Sequence, residues 1–261
     1  RTSAMGIYRS RYAGYGTELE YLREYNRDDD FRRIDWKATT RVNRPLSKMY
    51  QMERSNTIFF AIDCGRMLAG ERNNVSHLDE VINAVLLLSY IAVKSGDAVG
   101  ILAFSDQILV ELPPVRGYRA VQQIRSFVTG LSADFVESNY TAAFSRISSI
   151  LHKRSLVLFC TDIQDKGAAE ILKKQAIALS KRHRLLFLLL RDYILEEERN
   201  RFPDKIEDYY TLTAAKELFL TRKQQIDALR RIKLDIIDTL PALLGPRMVE
   251  RYVEIKARNQ L

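Results

Sequence analysis

Two aspartates follow apolar runs that read as buried strands, Asp63 after TIFFAI and Asp162 after LVLFCT, and Thr141 begins a helical stretch, YTAAFSRISSILHK. If the two strands are neighbours in one sheet, two carboxylates and a hydroxyl converge on the rim beyond their carboxyl ends, where open α/β sheets place their sites. Such hard oxygen ligands are of the kind Mg²⁺ takes. A metal-dependent hydrolase is one reading of the cluster, but no general base or nucleophile accompanies the two carboxylates.

Other site chemistry is missing. The sequence has no G-x-x-x-x-G-K-[ST] phosphate loop, no strand-linked G-x-G-x-x-G and no G-x-S-x-G elbow; the G-Y-G at 14 to 16 lacks both strand and third glycine. His77, His152 and His183 stand far apart without a metal-ligand spacing, so they read as surface or helix-end histidines. Cys64 and Cys160, each beside a strand-end aspartate, read as buried inert thiols. Two cysteines in 261 residues do not make a disulfide framework, which points to a reducing, cytosol-facing compartment.

The elements that must position the aspartates alternate from residue 57 onward. TIFFAID is a strand and LDEVINAVLLLSYIAVKSG a helix; GDAVGILAFSD and QILVELPP are strands joined by a turn too short for a parallel crossover, so they pair antiparallel. Two helices follow (YRAVQQIRSFVTGL and the one beginning at Thr141), then strand SLVLFCTD, helix AAEILKKQAIALSKRH and strand LLFLLLRD. A helix from about 213 to 231, strand KLDIID and a helix that Pro241 opens complete the chain. Nearly all-apolar strands alternating with helices imply an α/β fold, a doubly wound, mostly parallel six-stranded sheet with one antiparallel edge. Residues 1–54 lack the alternation and are expected to be an appended N-terminal segment, with the main domain at 55–261.

Composition bounds the partners. A 46% hydrophobic content allows a sizeable core, and 41 Lys and Arg against 33 Asp and Glu give +8, which permits an anionic partner. The basic stretches KKQAIALSKRHR and LRRIKL keep open a reading as a nucleic-acid or anionic-membrane binder. Most of the positive charge is interleaved with acids, as on a solvated surface. No apolar run reaches the length of a membrane span.

The N-terminal segment carries REYNRDDDFRRIDWKATTR (23–41), with eleven charged side chains and the chain's only tryptophan, Trp36. It is too polar to be core and too balanced in sign for a nucleic-acid arm. Two readings stay open for Arg23, Asp29, Asp30, Arg32, Arg33, Asp35, Trp36 and Lys37: they lock the segment in place, or they contact a partner. The segment is expected to cover a strand edge with Trp36 and Ile34, and the size of Trp36 leads to the expectation that it is buried against the main domain.

The string from Asp29 to Lys37, with MYQMER, SGDAVGILAFSD and MVERYVEIKAR, resembles the bacterial DUF fifty-eight family almost end to end. Asp28 stands where that family usually has glycine, and aspartate tolerates the left-handed turn better than most residues. The resemblance implies a von Willebrand factor A-like fold and a non-catalytic interaction module, an adaptor or partner of a MoxR-type AAA+ ATPase handling an unidentified client. In many members of that family membrane helices precede this domain, so the expectation is a cytoplasmic chain, including as the soluble part of a membrane-anchored protein. The metal-ion-dependent adhesion site of von Willebrand A domains is built from D-x-S-x-S, a threonine and a second aspartate. Here D-C-G-R-M stands in that place, so Gly65 and Met67 replace both serines. The expectation is a degenerate site of Asp63, Thr141 and Asp162 that holds Mg²⁺ weakly at best, with Arg66 as the donor between the two carboxylates.

Overall fold

Alternate residues of the strand Thr57–Asp63 enter two different cores: Ile58, Phe60 and Ile62 one, Phe59 and Ala61 the other. A strand buried on both faces needs helices on both sides, which is why its sequence is apolar without alternation. The computed structural model describes residues 19–26, 29–50, 56–72, 75–163, 166–191, 193 and 206–258. The turn at Asp28, the G-Y-G at 14 to 16 and residues 51–54 of MYQMER lie outside them.

The described chain separates into two compact units, 1–54 and 55–261. In the first, β1 (Leu19–Glu24) pairs antiparallel with β2 (Leu46–Tyr50), and α1 (Trp36–Val42) lies between them in sequence. Asn43 ends α1 in the left-handed region (φ 55°), a conformation asparagine tolerates.

The second unit contains β3 (Thr57–Asp63), the short pair β4 (Glu71–Arg72) and β5 (Val75–Ser76), α2 (His77–Lys94), β6 (Ala98–Phe104), β7 (Ile108–Val115), α3 (Tyr118–Val128) and α4 (Tyr140–Ile150). It continues with β8 (Leu156–Thr161), α5 (Lys166–Ser180), β9 (Arg184–Leu190), α6 (Ile206–Arg231), β10 (Asp235–Thr239) and α7 (Leu244–Ala257). The sheet order is β10-β9-β8-β3-β6-β7, parallel throughout except for β7, which runs antiparallel to β6. The expected antiparallel edge is therefore present, and β7 carries Pro113 and Pro114 where an edge strand can accept them. At Gly100 a Cβ would lie 2.8 Å from the Leu112 carbonyl oxygen, so the approach of β7 to β6 at this point admits no side chain.

Helices α2, α3 and α7 cover one face and α4, α5 and α6 the other. On the second face Phe144, Phe159 and Phe187 stack with centroids 4.4 and 5.2 Å apart. The two strands that end in the aspartates, β3 and β8, are hydrogen-bonded parallel neighbours. Asp63 is the last residue of β3, and Asp162 immediately follows β8. Their juxtaposition on one rim is thus fixed by the sheet.

Candidate functional site

Asp63 is fully buried, and its carboxylate accepts four hydrogen bonds. Oδ1 takes the Gly65 N–H at 2.9 Å and the Ser138 hydroxyl; Oδ2 takes the Thr161 hydroxyl at 2.6 Å and the Tyr140 hydroxyl at 2.9 Å. A carboxylate has about four acceptor positions, and all are used. Thr161 comes from the end of β8, Tyr140 from the first turn of α4, and Ser138 from the loop before it. Burial, then the Asp63 charge, pushes the Tyr140 phenol well above its ordinary range, so it stays a neutral donor.

The loop at 132–139 is pinned to the rim by its backbone as well. Asp134 N–H donates to Cys64 O at 2.8 Å, Arg66 N–H to Val136 O at 3.0 Å, and Asn139 N–H to Ser105 O at 2.7 Å. Gly65 is what lets this loop approach: a Cβ there would sit 2.1 Å from Ser138 Oγ and 2.9 Å from Val136 O. The hydroxyl missing from position 65 is therefore supplied by Ser138, in the space a serine side chain would need.

Asp162 is 3% exposed and carries an ion pair with Arg222, which α6 delivers. Arg222 Nε and Nη2 lie 2.9 and 2.8 Å from Asp162 Oδ1, Nη1 lies 2.9 Å from Asp238 Oδ1, and Nη2 donates to Leu190 O at 3.2 Å. Burial opposes the guanidinium charge, but Asp162 and then Asp238 outweigh it and raise its pKa.

Two expectations are corrected by this geometry. Thr141 is exposed and contributes nothing to Asp63, because the N-cap Asn139 turns the helix so that Tyr140, one residue earlier, faces the core. Arg66 points outward to Glu137 at 3.1 Å, both exposed, and the buried cation at the rim is Arg222, which lies between Asp162 and Asp238 rather than between Asp63 and Asp162. Met67 lies in a short 3-10 turn, Arg66–Leu68, that follows Gly65. The thiols behave as read: both are buried, and desolvation followed by the Asp63 charge pushes Cys64 up to about 12.

These residues do not fit a tightly held divalent ion. Mg²⁺ requires near-octahedral oxygen ligation, yet every acceptor position of Asp63 already receives a proton donor and Asp162 faces a guanidinium. Among the described residues no group of three or more His, Cys, Asp or Glu is placed to hold a metal.

In the N-terminal unit the acidic residues of the motif act locally. Asp29 pairs with Arg23 and accepts the Asn26 N–H at 3.0 Å; Asp30 caps the 3-10 turn Phe31–Arg33 through Arg32 N–H at 3.0 Å. Asp35 caps α1 through Lys37 and Ala38 N–H at 3.1 and 3.0 Å, with Lys48 3.5 Å away. The Ala38 N–H is the main cause that lowers the Asp35 pKa, with Lys48 adding to it. Ile34 is buried and bridges to Ser47 of β2, as expected of a residue covering a strand edge. Trp36 is not buried: it is 59% exposed, edge-to-face with Phe31 at 5.6 Å, because the helix that carries it is anchored by its cap rather than by its aromatic.

The fold and site define a doubly wound α/β domain with two buried aspartates at the carboxyl rim of neighbouring parallel strands. The chain belongs to the family described as "Protein of unknown function DUF58", whose model matches residues 21–204. Among solved structures, the chain is similar to the conserved hypothetical protein BatB from Bacteroides thetaiotaomicron (13% identity, 78% of this chain and 100% of that one, TM-score 0.48). It is also similar to the SpRpn10 VWA domain (10%, 74% and 93%, 0.45) and to an aerotolerance-related membrane protein from Bacteroides fragilis (15%, 68% and 98%, 0.41). No curated protein matches the chain. Among the described residues no helix is long and apolar enough to cross a membrane.

Proposed function

We propose that this chain is a non-catalytic protein-interaction module, an adaptor or partner of a MoxR-type AAA+ ATPase in the assembly or maturation of protein complexes. The observation that supports it is the closed state of the rim. Asp63 has no acceptor position left to act as a base or ligand, and Asp162 is neutralised by Arg222. A hydrolase needs at least one of these groups in reach of a substrate or ion. What remains for the domain is recognition through its surface, with no divalent ion tightly held.

Two measurements test this. Calorimetric titration of the chain alone with Mg²⁺ and Mn²⁺ is expected to give no tight binding; a low-micromolar constant abolished by Asp63→Ala refutes the closed rim. Titration with the purified ATPase encoded beside the chain is expected to give a stoichiometric complex. Binding to random duplex DNA with a steep salt dependence, and none to the ATPase, establishes the nucleic-acid alternative instead.

A further inference from the structure

The alternating signs of residues 29–41 hide a segregation in space. All three described acids of the stretch, Asp29, Asp30 and Asp35, are engaged in caps and local ion pairs. Arg32, Lys37 and Arg41 are exposed, and their side chains have no hydrogen-bond or ion-pair partner among the described residues. Lys37 and Arg41 stand four apart on α1, a spacing that places like charges side by side on one face. Trp36, which immediately precedes Lys37 in the first turn of the helix, is also exposed, and Phe31, 64% exposed, packs against it.

Exposed aromatics on a surface this polar carry an unfavourable hydration that burial would relieve. These two are held in place beforehand. Phe31 opens a capped 3-10 turn, and Trp36 is the first residue of a helix capped by Asp35, so little conformational freedom remains to be lost on docking. Tryptophan and arginine are the residues most enriched among interface anchors.

We infer that Phe31 and Trp36, rimmed by Arg32, Lys37 and Arg41, form the docking face for an acidic protein surface that offers an apolar pocket to the aromatic pair. The charge selects an anionic partner. The carboxylates decide between a protein and a phosphate-bearing surface: Asp30 and Asp35 each precede one of the aromatics, and a membrane or nucleic acid seated on the pair would have to meet them. A protein can answer both signs. Identifying that protein with the ATPase rests on the adaptor reading above.

Trp36 is the only tryptophan, so 5-fluorotryptophan gives a single ¹⁹F resonance that reports on this face. In the free chain the resonance is expected to be open to a soluble paramagnetic agent, and the unlabelled ATPase is expected to shift and shield it. Trp36→Ala should weaken the complex about thirty-fold, the scale of an interface anchor. The double variant Lys37→Glu with Arg41→Glu, which breaks no internal pair, should weaken it and flatten or invert its salt dependence, with the circular dichroism of the free chain unchanged. A resonance already shielded in the free chain overturns the inference, since the chain itself then covers the face. So does ATPase binding that leaves the resonance unmoved and is equally tight with both variants, an outcome that spares the adaptor reading. A shift produced by phosphatidylserine vesicles or duplex DNA but not by the ATPase overturns the protein partner, and no ATPase binding by the parent chain overturns both readings.

Discussion

Arg222 and Asp162, sixty residues apart in sequence, meet below the sheet rim with Nη2 and Nε 2.8 and 2.9 Å from one carboxylate oxygen. The same guanidinium reaches Asp238 at the end of β10, so one cation ties α6 to two strand ends. Both partners are almost wholly buried, which raises the electrostatic attraction and the desolvation penalty together.

Removing one partner exposes that penalty. Arg222→Met leaves Asp162 and Asp238 without their shared cation and should lower stability by about 3–5 kcal/mol, the usual loss when a buried pair is broken. Adding Asp162→Asn should restore part of it. Urea unfolding of the two variants decides: a loss below about 1 kcal/mol for the single variant means the pair does not hold α6.

Gly65 and Ser138 compete for one volume, so the rim should reject a serine returned to position 65. With its Cβ 2.1 Å from Ser138 Oγ and 2.9 Å from a backbone oxygen, Gly65→Ser must displace the 132–139 loop. A loss of about 1–3 kcal/mol is expected from overpacking. Ser138→Gly in the same chain should recover some of that loss by freeing the space. If Gly65→Ser is neutral and gains Mg²⁺ affinity, the loop is not fixed as the hydrogen bonds indicate.

How much of this was legible follows from the range of each interaction. The strands were readable because an apolar run bounded by turns is a local signal, and two strand-end aspartates on one rim follow from strand adjacency. Arg222 was not readable: it belongs to a charged helix whose inward face is set by the sheet, and nothing near Asp162 in sequence announces it. A hydroxyl at a helix start is a local signal that points to Thr141, whereas which of two adjacent helix residues faces the sheet is set by the cap at Asn139, and Ser138 lies in the loop before it, so neither Ser138 nor Tyr140 is legible from the sequence. The expectation for Trp36 rests on its size alone, while caps fix the backbone on either side of it and Phe31 is the aromatic that packs against it.

Two of the sequence strings that carried the family resemblance, SGDAVG and YVEIKA, prove to touch. Asp97, fully buried, accepts the Tyr252 hydroxyl at 2.6 Å and Lys256 Nζ at 2.9 Å, and takes the Asn56 N–H at 3.1 Å. Tyr252→Phe removes one donor from a buried carboxylate and should cost about 1–3 kcal/mol. Desolvation, then the Asp97 hydrogen bond and charge, raises the Tyr252 pKa above its ordinary value near 10. Stability from this group is present below that value and is lost as pH rises beyond it, because the unfolded chain releases the proton first. The alkaline decline in melting temperature should therefore be shallower in Tyr252→Phe; identical slopes contradict the clasp.

His183 governs the opposite end of the pH range. It is 2% exposed at the turn into β9, and among the described residues neither ring nitrogen has a hydrogen-bond partner. Burial first, and then the charges of Arg182 and Arg154, hold its pKa below the ordinary 6.5. The folded chain thus resists a proton that the unfolded chain accepts. Below about pH 6.5 the unfolded state binds more protons, so stability is complete above that value and falls as the pH drops towards the depressed folded value. Unfolding by urea from about pH 7.5 to about pH 5.5, a range in which most carboxylates stay ionised, isolates the effect. The parent chain should lose stability across it, while His183→Met, which keeps the bulk but cannot titrate, should stay nearly level. Parallel curves for the two chains mean that His183 finds room for its charge in the folded state and that its burial has no bearing on acid sensitivity.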